Sequence, residues 1–142
     1  MSRVRFDLLA APGHLIRRAQ QHHAALWVER VDAELTSVQF AVLVAVHERP
    51  GLDQRTLGTM LSIDGSTVAD VCRRMAERGL IVRERSPDDA RRYGLGLTAQ
   101  GEAVLRQLAP RVAALGEDLL GPLTQRERET LMRLLRKVVL RG

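Results

Sequence analysis

Arg91 and Arg92 stand side by side in the stretch SPDDARRYGLGLT, Ser86 to Thr98, which reads as a hairpin with the two arginines at its tip. A tip cannot bury a guanidinium, so the pair is aimed at an anion outside the protein unless it only solubilises the surface. A second set of polar groups lies just upstream. Ser66 and Thr67 open the segment GSTVADVCRRMAER, Asp70, Arg73 and Arg74 follow, and Val68, Val71, Cys72 and Met75 keep the i, i+3, i+4, i+7 spacing of a buried stripe. Such a helix turns an apolar back to its domain and a short polar front to a partner. The major groove of duplex DNA accepts that front, with hydroxyls and short side chains near the helix N-terminus reaching base edges or phosphates. Asp64, just before the helix, and Thr56, on the short helix preceding it, are counted with this front. The hairpin beside it then carries Arg91 and Arg92 over the adjacent backbone or into a minor groove, where narrow A·T segments hold the strongest negative potential.

Other chemistries find less support. No nucleophile elbow, phosphate loop or paired-carboxylate site is present, and Asp88-Asp89 read as turn formers, so neither an enzyme nor a bound cofactor is expected. His14, His22, His23 and His47 suggest a metal only by number. The adjacent His22 and His23 point about 100° apart on a helix, and no Cys or carboxylate completes a ligand spacing. Cys72, the single cysteine, rules out an internal disulfide; its place on the apolar stripe fits an inert buried thiol, with a redox-sensing thiol as the alternative.

The elements that must position these groups follow from local signals. At 142 residues, 45% hydrophobic and 27% charged, the chain is long enough for one globular domain with its own core. Its net charge of +5 favours a polyanionic partner. One Trp, one Tyr and two Phe are too few for the stacking platforms of single-strand or RNA binding, which leaves a duplex. The first ten residues carry Arg3, Arg5 and Asp7 in place of a signal-peptide core and no apolar run approaches 18 residues, so a cytoplasmic protein away from membranes is expected.

A first helix is predicted from about Pro12 to Glu34. Thr36 with Gln39 forms a capping box for VQFAVLVAVHER, which stops at Pro50-Gly51. Asp53 caps QRTLGTML, Asp64 caps the polar-fronted helix, and Gly79 closes the latter with Leu80 folding back on Met75, which makes a helix-turn-helix. Two strands then flank the hairpin tip, with Arg83 and Arg85 on one face of the first and Tyr93, Leu95 and Leu97 on one face of the second. Thr98 restarts helix, Pro110 predicts a kink in it, and Thr124 with Glu127 opens the last helix. The fold class is mainly α with a small β-wing: a winged helix-turn-helix core over about 36–98, flanked by helices over about 10–35 and 99–142.

The runs LTSVQFAVL and LDQRTLGTMLSIDGSTVADVCRRMAERGLIVRERSPDDARRYGLGLTAQG closely resemble the winged-helix core of the MarR family of bacterial transcription regulators. The most particular element is the wing motif Asp89-Ala90-Arg91 followed by Leu97-Thr98-Ala99-Gln100-Gly101; Arg92 is an extra basic residue, and which arginine enters the groove stays open. The resemblance implies a homodimer built from helices one, five and six, with two recognition helices roughly 34 Å apart on a pseudo-palindromic operator. The apolar stripe Leu131, Leu134, Leu135 and Val138 of the last helix agrees, unless it packs within its own subunit.

In the first helix, Leu15, Ile16, Ala19, Leu26 and Trp27 form one stripe with His23 near its centre. His23 either bonds a backbone carbonyl or water in the core, or faces a ligand cavity. Pro12-Gly13-His14-Leu15, Arg17-Arg18, Gln20-Gln21 and Trp27 look like the first helix of family members that govern aromatic-acid catabolism. That likeness implies a repressor released by a small aromatic carboxylate, a phenol or a coenzyme A thioester, with Arg17 on the carboxylate, His14 and His23 as polar contacts and Trp27 as an apolar wall. Helical phase does not separate Arg17 from Arg18. A DNA-binding protein with no effector is the competing expectation.

Overall fold

The computed structural model describes residues 3–86 and 88–141; Pro87, within the stretch read from sequence as a hairpin, lies outside them. Its elements run in the order of a short 3-10 turn, Leu8–Ala10, then α1 (Pro12–Arg30), α2 (Ser37–Glu48), α3 (Gln54–Leu61), α4 (Gly65–Glu77), β1 (Ile81–Arg85), β2 (Tyr93–Leu97), α5 (Ala99–Leu119) and α6 (Gln125–Val139).

Most helix starts are set by one side-chain oxygen that takes an otherwise orphaned backbone N–H. Thr36, Asp53, Asp64, Thr98 and Thr124 accept from the amides of Gln39, Thr56, Thr67, Gly101 and Glu127, and both capping boxes close reciprocally, Gln39 and Glu127 reaching back to the Thr36 and Thr124 amides. The α1 helix has no side-chain cap and relies on Pro12 in its first turn. At the end of α4, Gly79 takes the left-handed φ of 74°, and the Leu80 amide donates to the Met75 carbonyl at 3.0 Å, folding the chain back as expected.

α1 ends four residues earlier than the periodicity predicts. The carboxylate of Asp32 accepts from the amides of Leu35, at 2.6 Å, and Glu34, at 2.7 Å, and this local turn competes with a further helical turn. The same bonds, with the Leu35 amide first, hold the Asp32 carboxyl below its usual range against the opposing effect of burial. α5 runs unbroken through Pro110, so the missing donor interrupts the ladder without ending the helix.

Val42, Leu43 and Val46 of α2, Leu57 of α3, Val68, Cys72 and Met75 of α4, Leu80, Ile81 and Leu95 of the wing and Leu108 of α5 form one core. The two strands are antiparallel, in register from Ile81 opposite Leu97 to Arg85 opposite Tyr93. The loop before α3 adds a bridge: the Gly51 amide donates to the Leu95 carbonyl and the Leu95 amide to the Leu52 carbonyl. Gly94 must lack a side chain there, because a Cβ would overlap the Gly51 carbonyl.

α1 packs on α5, while α6 buries no residue fully. The α6 stripe packs only in part within the chain: Leu131 is half-buried, while Leu134, Leu135 and Val138 are exposed, as are Val4 and Phe6 near the N-terminus. An apolar face of this kind is what a subunit interface covers.

Gly101, in the first turn of α5, sits against the Leu80 carbonyl, where an added Cβ would overlap it. Gly101→Ala should therefore lower the thermal midpoint at fixed protein concentration by the equivalent of about 1–3 kcal/mol. An unchanged midpoint would show that this contact yields freely.

Candidate nucleic-acid interface and effector cavity

α4 presents the two faces its sequence predicts. Val68, Cys72 and Met75 are 2%, 5% and 0% exposed, and Ser66, Thr67, Asp70, Arg73 and Arg74 lie on the opposite side. The polar face is satisfied from within. Asp64 accepts from the Thr67 amide at 2.8 Å, the Ser66 hydroxyl at 2.7 Å and the Thr67 hydroxyl at 3.0 Å. Those bonds, the Thr67 amide foremost, lower its pKa from 3.8 to about 2. Asp70 holds both arginines, Arg73 at 2.5 Å and Arg74 at 3.0 Å, and Arg73 also reaches Glu77 at 3.1 Å. Exposed pairs of this kind are weak and open readily for a stronger anion.

Thr56 belongs to the cap of its own helix: Asp53 accepts its amide at 2.7 Å and its hydroxyl at 2.9 Å. Beside it, Gln54, Arg55, Thr59, Ser62 and Gly65 line a cleft of about 490 Å³ where α3 meets α4. Sequence reasoning left out Gln54 and Arg55. Arg55 is exposed, whereas Gln54 shares the helix face of the buried Leu57 and Gly58 and is half-buried, so helical phase singled out no outward pair here.

At the wing tip Asp89 acts as the turn former. It accepts the Arg91 amide at 3.0 Å on its side chain and the Arg92 amide at 3.0 Å on its carbonyl, and the Ser86 amide donates to the Arg92 carbonyl at 2.8 Å. Arg92, with a side chain 83% exposed, lies 4.0 Å from the Asp89 carboxylate. Arg91 makes no ion pair among the described residues. The two arginines thus differ in charge environment although they are adjacent.

Along α1 the four expected effector residues are dispersed. His14 Nδ1 lies 2.7 Å from an Arg17 Nη, which marks Arg17 off from Arg18. His23 lines an apolar cavity of about 610 Å³, walled by Leu15, Ile16 and Ala19 of α1, Leu119 of α5 and Leu131 and Leu135 of α6. Its Nδ1 is buried and has no hydrogen-bond partner, so the expected core carbonyl is not there. A buried ring nitrogen without a partner costs about 1–3 kcal/mol and is open to a donor or acceptor brought by a ligand. Trp27 is 5% exposed, its indole N–H donates to the Leu35 carbonyl at 2.8 Å and its ring meets the edge of Phe40. It walls a separate cavity of about 170 Å³ and is tied to His23 only by ring contact at 5.9 Å. The α5 and α6 walls of the larger cavity were not assigned from sequence, since only folding brings them to α1.

Burial pushes the Cys72 thiol up, with Arg83 opposing, so the group stays a neutral thiol near pH 7. Among the described residues no three His, Cys, Asp or Glu side chains cluster as metal ligands. No described helix is long and apolar enough to cross a membrane.

Comparison with known proteins places these features in a group. Residues 33–92 match the model of the MarR family. The transcriptional regulator HosA of Escherichia coli is 36% identical over 126 residues, covering 89% of this chain and 93% of that protein. The crystal structure of the PcaV transcriptional regulator from Streptomyces coelicolor, in complex with its natural ligand, matches with a TM-score of 0.90 and 44% identity over 96% of this chain and 97% of that one. The transcriptional repressor CouR bound to p-coumaroyl-CoA matches with a TM-score of 0.88 and 26% identity over 99% and 100% of the two chains. Bound to a 23-mer DNA duplex, CouR matches with a TM-score of 0.80 and 30% identity over 97% and 99%.

The depressed pKa of Asp64 links the start of α4 to pH. A carboxylate lowered from 3.8 to about 2 adds stability that is fully present above its unfolded value and is lost as the pH falls through its folded value. The urea midpoints of wild type and Asp64→Asn should differ above about pH 4 and converge as the pH approaches about 2. A gap independent of pH would show that the charge contributes nothing at this cap.

Proposed function

This chain belongs to the MarR family of transcriptional regulators, and from that membership we propose that it is a homodimeric repressor of a pseudo-palindromic operator, released by a small aromatic carboxylate, a phenol or the corresponding coenzyme A thioester. The observation that carries the DNA-binding half is the joint exposure of the α4 front, with Ser66, Thr67, Asp70, Arg73 and Arg74, and of Arg91 and Arg92 on the adjoining wing. Phosphates would draw the wing arginines, and base edges would select among the short groups of α4. Asp64 and Thr56 support that face by fixing the first turns of α4 and α3. The duplex-bound state of CouR supports the same reading. The dimer would close through α1, α5 and α6 and cover the exposed Leu134, Leu135 and Val138.

The effector half is supported by the apolar cavity with the unpartnered His23 Nδ1, by the His14 and Arg17 pair on the same helix, which itself lies outside the cavity lining, and by the ligand-bound states of PcaV and CouR. Arg17 offers a bidentate fork to a carboxylate, His14 and His23 bond ring hydroxyls, and Trp27 stiffens the wall behind His23. Release requires the ligand to prefer a dimer whose recognition helices are wrongly spaced; equal affinity for both states would shift nothing. A regulator without an effector is the second reading, favoured by the separation of Trp27 from the cavity that His23 lines.

Fluorescence anisotropy on a duplex from upstream of the protein's own gene, at fixed salt and with a panel of aromatic acids and their coenzyme A thioesters, tests both halves. Arg91→Ala should weaken binding about tenfold, the scale of a lost groove contact. Arg17→Ala should leave DNA affinity intact and abolish release. Release that survives Arg17→Ala overturns the effector site, and specific binding that no compound disturbs favours the second reading.

A further inference from the structure

Arg83 and Arg85 are two residues apart on β1 and therefore point to the same face of the hairpin. Register places Arg85 directly opposite Tyr93 and Arg83 one pair further in, opposite Leu95. Both guanidiniums converge on the single tyrosine: Arg83 lies 5.4 Å and Arg85 5.7 Å from the ring centroid. Two cations gathered on one ring repel each other, and elsewhere on this surface a carboxylate relieves such crowding. Asp70 does so for Arg73 and Arg74, Glu77 for Arg73 and Asp89 for Arg92. Among the described residues neither Arg83 nor Arg85 has an ion pair, and the ring alone holds them. Tyr93 is 46% exposed, so the cluster faces solvent rather than the core.

We propose that Arg83 and Arg85 form a phosphate clamp for the duplex backbone between α4 and the wing tip, and that Tyr93 is the positioning residue that pre-stacks them. This rests on the DNA-binding reading above and adds a second basic contact to it, distinct from Arg91 and Arg92. The counter-anion missing from the cluster is supplied by DNA. The tyrosine lowers the cost of ordering: a free arginine loses its rotamer freedom on binding, whereas a stacked one has already lost much of it. A phosphate then meets two donors already gathered at one place.

The test is anisotropy on two duplexes, one from upstream of the protein's own gene and one of random sequence, from about 50 to about 250 mM NaCl, with log Kd followed against log salt. The variants are Arg83→Gln/Arg85→Gln, Tyr93→Ala and Tyr93→Phe, each checked for helix content and thermal midpoint. The double variant should flatten the salt slope by about 1.8 on both duplexes, about 0.9 for each lost phosphate contact. Tyr93→Ala should weaken binding about fivefold from the lost ordering of two side chains, and Tyr93→Phe should restore wild-type binding because the ring, not the hydroxyl, carries the stack. A wild-type slope in the folded double variant overturns the clamp. Wild-type affinity in Tyr93→Ala, or a Tyr93→Phe variant as weak as Tyr93→Ala, overturns the positioning role. If the upstream duplex binds wild type no more tightly than the random one, the operator reading fails, while the slopes on the random duplex still decide the clamp.

Discussion

One-sided burial of α4 is the constraint on which the outer surface depends. With Val68, Cys72 and Met75 in the core, the helix has no rotational freedom left, and its 3.6-residue period sends Asp70, Arg73 and Arg74 outward. The wing obeys the same logic with a period of two. Leu95 is pinned by its burial and by the bridge to Leu52, and that fixes which side chains share its face. The arginines and short polar groups are thus placed by apolar residues that never touch a partner. A substitution at Met75 or Leu95 would disturb the interface as surely as one at Arg91.

Local chemistry was legible in the sequence and long-range chemistry was not. Thr36, Asp53, Asp64, Thr98 and Thr124 announce their helices because a cap involves residues only three apart, and all five act as caps. The end of α1 was misjudged because Asp32 turns the chain with bonds that periodicity cannot register. Arg17 and Arg18, about 100° apart, both flank the apolar stripe, and only the bond to His14 tells them apart. The apolar cavity joins Leu15 to Leu135, from opposite ends of the chain, so no window of sequence contains it. The convergence of Arg83 and Arg85 on Tyr93 depends on strand register, which the hairpin length alone left undetermined.

The two parts of α1 have different surroundings. The C-terminal part of α1 is structural: Leu26 and Trp27 are buried, and the indole is bonded to Leu35. The N-terminal part leaves Leu15 and Ile16 exposed over the gap to α6. His23 falls at the junction between the two, touching Trp27 on one side and the cavity on the other. His23 is therefore one aromatic ring away from the core beneath the helix-turn-helix.

The pairing of Asp70 with both Arg73 and Arg74 has a thermodynamic side. An arginine that already holds a carboxylate gains from a phosphate only the difference between two anions, so the proposed contact with DNA at this point would be a ligand exchange rather than a simple attraction. The displaced carboxylate must then be accommodated near a polyanion, or find a base-edge amino group to accept from. Where the groove offers such a donor the exchange is close to balanced, and where it does not the aspartate opposes the complex. On the proposed DNA-binding reading, the same three side chains would set a small cost against indiscriminate backbone binding.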